Sequence, residues 1–101
     1  MDRVVSLAET VHQVVAEYQS YSPMAIMHAV HDPAEGIDLV IVIPNDRTIE
    51  PHVVAMTRLD QEKVLVEIDT TDHPLAEALI GAGIPRSQIV LAYVGETAQT
   101  I

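Results

Sequence analysis

Three sets of residues in this 101-residue chain are of types that could do chemistry. His28, His31 and Asp32 lie together in the run HAVHD, an imidazole, imidazole and carboxylate set of the kind that ligates a transition metal. Glu67, Asp69 and Asp72 lie within six residues, and close carboxylates can share a proton or hold Mg²⁺. Gly81-x-Gly83 resembles part of a dinucleotide fingerprint.

Each set also has a structural reading. If residues 24–30 form a strand, His28 and His31 point to opposite faces, because strand side chains alternate. His31 and Asp32 would then fall in the loop HDPAEG, and convergence on one ion would need a bend. Structural or solvated histidines are the favoured reading. A small-ligand or metal-binding enzyme using His28, His31 and nearby carboxylates is the alternative. For the acids, Asp72 or Thr71 is suited to cap a helix, with Thr70 as a competitor. Asp69 starts the turn, and Glu67 lies on the solvent face of a strand. The glycines precede a strand rather than follow one, so the fingerprint fails. Ser6, Ser20, Ser22 and Ser87 lack a Gly-x-Ser-x-Gly context. No cysteine is present, which excludes disulfides, thiolate zinc sites and a Cys nucleophile. No catalytic residue, metal or cofactor is expected.

The elements that must position these groups follow from periodicity. Val4, Ala8, Val11, Val15 and Tyr18 make an apolar stripe that predicts a helix over residues 1–19. Asp2 can cap it, or Ser6 with Glu9 if it starts later. Residues 20–23 (SYSP) end it. Strands are expected over 24–30, 37–43, 48–59 and 63–69, with Pro51 marking an edge, a bulge or a strand start. In KVLVEID, Val64, Val66 and Ile68 are expected on one face, and Leu65, Glu67 and Asp69 on the other. Pro74 fits the first turn of a helix over 73–82, and Gly83 the left-handed position after it. Pro85 blocks continuation, 89–94 is a last strand, and 95–101 is a tail with little to order it. The fold class is α+β, a single domain over 1–101. An N-terminal helix, a four-stranded antiparallel meander, a helix and a final strand are expected, with both helices on one face of the sheet.

Composition narrows the function. Hydrophobic residues are 49%, with three Tyr and neither Phe nor Trp, so the core has few bulky anchors and a homodimer would add stability. Fifteen acids against five Lys and Arg leave a net charge of −10. That disfavours direct nucleic-acid binding, which needs cations to displace counterions from phosphate. It suits a basic protein partner. No signal segment or 18-residue apolar run is present, so a cytoplasmic protein without a membrane span is expected.

The segment KVLVEIDTTDHPLAEALIGAGIPRSQIVLAY, residues 63–93, resembles the C-terminal half of the XisI family, the fdxN element excision controlling factors. Lys63, Asp69, Thr71 and Asp72 stand where the family has Lys, Asp, Thr and Glu. Gly83, Ile84 and Pro85 match its Gly-Ile-Pro-Lys, with Arg86 for Lys. Ile89, Val90, Leu91 and Tyr93 match its closing strand and aromatic. Leu65 departs from the family Trp, Pro44-Asn45-Asp46 from its Gly-Trp-Asp turn, and GETAQTI from its Pro-Pro-x-x-Arg segment. The resemblance implies a non-catalytic accessory protein in controlled excision of a DNA element. It also implies contact with a nuclease-like XisH-type companion or a recombinase, through an acidic face or a sheet edge.

Overall fold

Ser6 is extended, and its Oγ accepts a hydrogen bond from the Glu9 amide at 3.1 Å, so helix α1 (Leu7–Ala16) begins there. The computed structural model describes residues 6–97, and the Asp2 cap and Val4 of the expected stripe lie outside them. The helix is shorter than expected because Tyr18 and Gln19 bond back three residues, to Val15 and Ala16, which tightens the end. Its buried positions are Val11, Val14 and Val15. Ala8 is exposed, so the stripe is rotated from the expected one.

The strands are β1 (Ser20–Tyr21), β2 (Ala25–Asp32), β3 (Ile37–Pro44), β4 (His52–Asp60), β5 (Lys63–Asp69) and β6 (Ile89–Leu91). They lie in sequence order in one sheet, antiparallel throughout except for the parallel pair β5–β6. The expected meander is present with a short edge strand added, and β5, helix α2 (Leu75–Gly81) and β6 form a strand–helix–strand unit.

Several boundaries move for physical reasons. Strand β2 runs to Asp32, so His31 and Asp32 are strand residues and not loop residues. The turn that follows is tight enough to need Gly36 at φ +68°, where an added Cβ would meet Leu59 Cβ at 3.2 Å. Strand β4 starts after Pro51 rather than at Thr48, because Asp46 Oδ1 accepts from both the amide and the hydroxyl of Thr48 and holds a turn. The last strand stops at Leu91, and a 3-10 turn (Ala92–Val94) follows with Tyr93 43% exposed. Part of the supposed tail is tied down. Arg86 bonds Ile89 O and Glu96 Oε2, while Glu96 Oε1 accepts the Leu91 amide at 2.9 Å. Those contacts, the Leu91 amide first, hold the Glu96 carboxyl below its ordinary value.

Helix α2 ends as its sequence predicts. Gly83 takes φ +101°, its amide bonds Ile80 O, and the Ile84 amide bonds Leu79 O at 3.1 Å. This is the Schellman arrangement, and Ile84 and Leu79 make its apolar contact inside the core.

Both helices pack on one face of the sheet. The core there joins Val11, Val14 and Val15 to Val40, Ala55, Val64, Val66, Leu75, Leu79, Ile84 and Ile89. Two register shifts adjust which residues reach it, between Val40/Ile41 and between Met56/Thr57. The second leaves Glu67 unpaired, so Asp69 pairs with Ala55 on the helix side and Ile68 with Met56 on the other. The expected alternation therefore holds for Val64 and Val66 and reverses for Ile68 and Asp69. Among the described residues no helix is long and apolar enough to cross a membrane.

Candidate functional site

The sheet places an acid where its pattern calls for an apolar residue. Asp38 belongs to the inward row of β3 with Val40, and its side chain is 3% exposed. Strand β2 pairs His31 directly with it, and α1 carries His12 over the same spot. Asp38 Oδ1 lies 2.8 Å from His31 Nδ1 and 3.2 Å from His12 Nδ1. The two imidazoles stack on each other with centroids 3.9 Å apart and planes 27° apart. Two ring nitrogens thus face one buried carboxylate oxygen, which satisfies a group that would otherwise be costly to bury. The cluster borders a cleft of about 210 Å³ that Glu9, Gly36 and Leu59 also line.

This is not the expected histidine set. His28 pairs with Ile41 on the opposite face, as strand alternation requires, and Asp32 turns its carboxylate to the amides of Ala34 and Glu35. His12 and Asp38 were missed. A lone Asp in the β-branched run IDLVIVI was a usable signal, and so was Glu-x-x-His at helical spacing in ETVH.

The carboxylates at the end of β5 and just beyond it do not form an acid–base pair. Glu67 Oε2 meets Arg58 Nε at 2.9 Å. Asp69, rather than Thr71 or Asp72, caps α2. Its Oδ2 accepts the Leu75 amide at 2.8 Å, and its Oδ1 accepts the amide and hydroxyl of Thr71. The bulge at Glu67 turns Asp69 toward the helix and makes this possible, and Asp72 is left exposed. Tyr18 closes the same corner by donating to His73 O at 2.7 Å. Burial, and then the charges of Asp69, Glu17 and Glu77, push the Tyr18 hydroxyl up to about 12. Of the residues that carry the family resemblance, Asp69, Thr71, Gly83 and Ile84 hold this helix. Lys63 pairs with Asp60 at the β4–β5 turn.

The second feature is the face of the sheet that bears neither helix. Cross-strand rows there run Val30–Leu39–Met56–Ile68 and His28–Ile41–Val53, with Ile26–Ile43 beyond. Val30, Val53 and Ile43 are 38%, 36% and 40% exposed. Leu65 and Val90 also lie on this side but are buried, at the end of the sheet where the 92–94 turn packs against β5. The sheet edges are short: β1 has two residues and β6 three.

Comparison with known proteins gives the family. The family model described as XisI protein matches residues 1–101. No curated protein matches significantly. The fold is similar to the crystal structure of a XisI-like protein from Anabaena variabilis ATCC 29413, with a TM-score of 0.73 at 19% identity over 85% of this chain and 83% of that one. It is also similar to the crystal structure of fdxN element excision controlling factor XisI from the same organism, with a TM-score of 0.63 at 16% identity over 85% of this chain and 88% of that one. At those identities the likeness establishes the α+β architecture, and the match along the whole length supplies the rest: the chain belongs to the XisI family.

Proposed function

We propose that this chain is a non-catalytic accessory protein in the controlled excision of a DNA element. It acts in the cytoplasm by docking to a nuclease-like, XisH-type companion or a recombinase. The observation that carries the mode of action is the helix-free sheet face, where Ile, Val, Leu and Met rows from four strands reach solvent. Contiguous apolar surface of this kind is usually an interface. Edge pairing is the weaker route, because the edge strands are two and three residues long and Gln19 Oε1 already takes the Ala29 amide on the outer side of β2. The net charge of −10 favours a companion whose contact patch is rimmed by Lys and Arg, and it gives the encounter a salt dependence.

The test is co-expression with a nuclease-like, XisH-type companion from the same genome, capturing a tag on the companion at low salt. Wild-type chain is expected to co-purify, and Val30→Lys combined with Ile43→Lys to be lost while remaining folded by circular dichroism. No capture of wild type overturns the proposed role. Equal capture of the variant overturns the face. Capture failing while the chain alone forms a dimer that the same variant dissolves assigns the face to a second copy.

A further inference from the structure

We propose that the cleft between α1 and the β2–β3 hairpin binds one first-row divalent transition metal ion through His12, His31 and Asp38, with Glu9 as a fourth ligand at its rim. The proposal stands apart from the docking role and uses the opposite side of the sheet.

Charge is the first argument. The ion-pair partners of the buried Asp38 carboxylate are the two imidazoles. With both rings neutral, the cluster keeps a buried negative charge. One shared proton or one cation balances it. A divalent ion held by Asp38 and two neutral imidazoles offsets that charge, and Glu9 is the further carboxylate at the cleft. It lies three residues before His12 on the same helix and lines the same cleft. Ligands spaced this way project from one helical face, as in the Glu-x-x-His pairs of carboxylate metal centres.

Distance is the second. Zinc bonds of about 2.0–2.1 Å in a tetrahedron separate neighbouring ligand atoms by roughly 3.3 Å. The two nitrogens lie 2.8 and 3.2 Å from the carboxylate oxygen, and all three atoms are within 4.8 Å of one another. The rings are stacked with Nδ1 toward the carboxylate, so sharing an ion requires each ring to turn about its terminal torsion and to carry its proton on the nitrogen away from the ion. That torsion is broad for His. The ring-bearing side chains are 45% and 30% exposed and border the cleft, whereas Asp38 is fixed in the sheet. A cleft of about 210 Å³ holds an ion with coordinated water, each water taking about 30 Å³.

The donor set selects the metal class. Imidazole nitrogen with carboxylate oxygen suits Zn²⁺, Co²⁺, Ni²⁺ or Fe²⁺, whereas Mg²⁺ and Ca²⁺ prefer all-oxygen sites. The ion would bridge the first helix to two strands of the sheet and oppose separation of the two layers.

The test uses tag-free full chain stripped with chelator, then titrated with Co²⁺ and followed by its visible absorption. One Co²⁺ per chain is expected, displaced stoichiometrically by Zn²⁺, with a Zn²⁺-dependent rise in melting temperature. His12→Ala, His31→Ala and Asp38→Asn should each weaken binding at least tenfold, the lower end of what loss of an outer-sphere partner alone does. Glu9→Gln should weaken it less. His28→Ala, on the other face, should leave it unchanged. Binding is read only on variants whose circular dichroism matches wild type. Absence of stoichiometric Co²⁺ and Zn²⁺ binding by wild type overturns the proposal. Undiminished binding by a His12→Ala, His31→Ala double variant also overturns it, as would loss on His28→Ala.

Discussion

The two faces of this sheet are built from nearly the same residues and meet different surroundings. On the covered face Val40, Ala55, Val64 and Val66 are fully buried beneath two helices. On the open face Val30, Ile43 and Val53 keep more than a third of their surface. Composition does not separate them, since both are rows of β-branched and aliphatic side chains. What separates them is that α1 and α2 each have one apolar side and both spend it on the same face. The covered face pays for folding. The open face keeps an apolar surface that a solitary domain does not require.

The largest effect expected from this contrast is Leu79→Ala. Leu79 is fully buried and forms the apolar contact of the α2 terminus with Ile84. Truncation of such a residue costs about 2–5 kcal/mol. Urea unfolding should show it as a lower midpoint at constant slope. A cost below about 1 kcal/mol would mean that the covered face is not the stabilising one.

Next is Asp69→Ala, which removes the cap of α2 and frees the Leu75 and Thr71 amides. The expected loss is about 1–2 kcal/mol, and Asp69→Asn should recover part of it. If Asp72→Ala costs as much, the capping assignment is wrong. The same corner predicts an alkaline effect. Tyr18 is raised from 10.0 to about 12 in the fold, so it keeps its proton there after an unfolded tyrosine has lost it. Its contribution to stability is complete below pH 10 and is lost as pH rises toward 12. Tyr18→Phe should flatten that decline in pH-dependent melting, and an unchanged slope would assign the decline to other groups.

These two residues also mark how far the sequence could be read. The C-terminal end of α2 was legible, because Gly83 and Pro85 each exclude alternatives by backbone sterics. The capping carboxylate was not, because Asp69, Thr71 and Asp72 all carry acceptors and only the bulge at Glu67 decides which one turns inward. KVLVEID alternates plausibly in either register, so nothing local reveals that Ile68 and Asp69 exchange sides. The His12–His31–Asp38 cluster was hidden for a different reason. Its members lie 7 and 26 residues from the shared carboxylate, and only the pairing of β2 with β3 and the docking of α1 bring them together. His28 attracted attention because it is near His31 in sequence, yet strand alternation sends it to the other face.

The smallest stability effects belong to the open face, and they sharpen the contrast most. The Arg58–Glu67 ion pair lies there with side chains 42% and 29% exposed. Pairs of this kind are worth about 0.2–1 kcal/mol and weaken with salt. A double-mutant cycle of Arg58→Met and Glu67→Gln should therefore give a coupling in that range at low salt that shrinks as salt is added. Val53→Thr, further along β4 on the same surface, should change stability by no more than about 0.5 kcal/mol, since threonine keeps the β-branched shape at an exposed position. A large destabilisation at either place would show that the open face already supports the isolated fold. A small one, combined with lost capture of the companion, would separate the two faces by function, one holding the chain together and the other holding its partner.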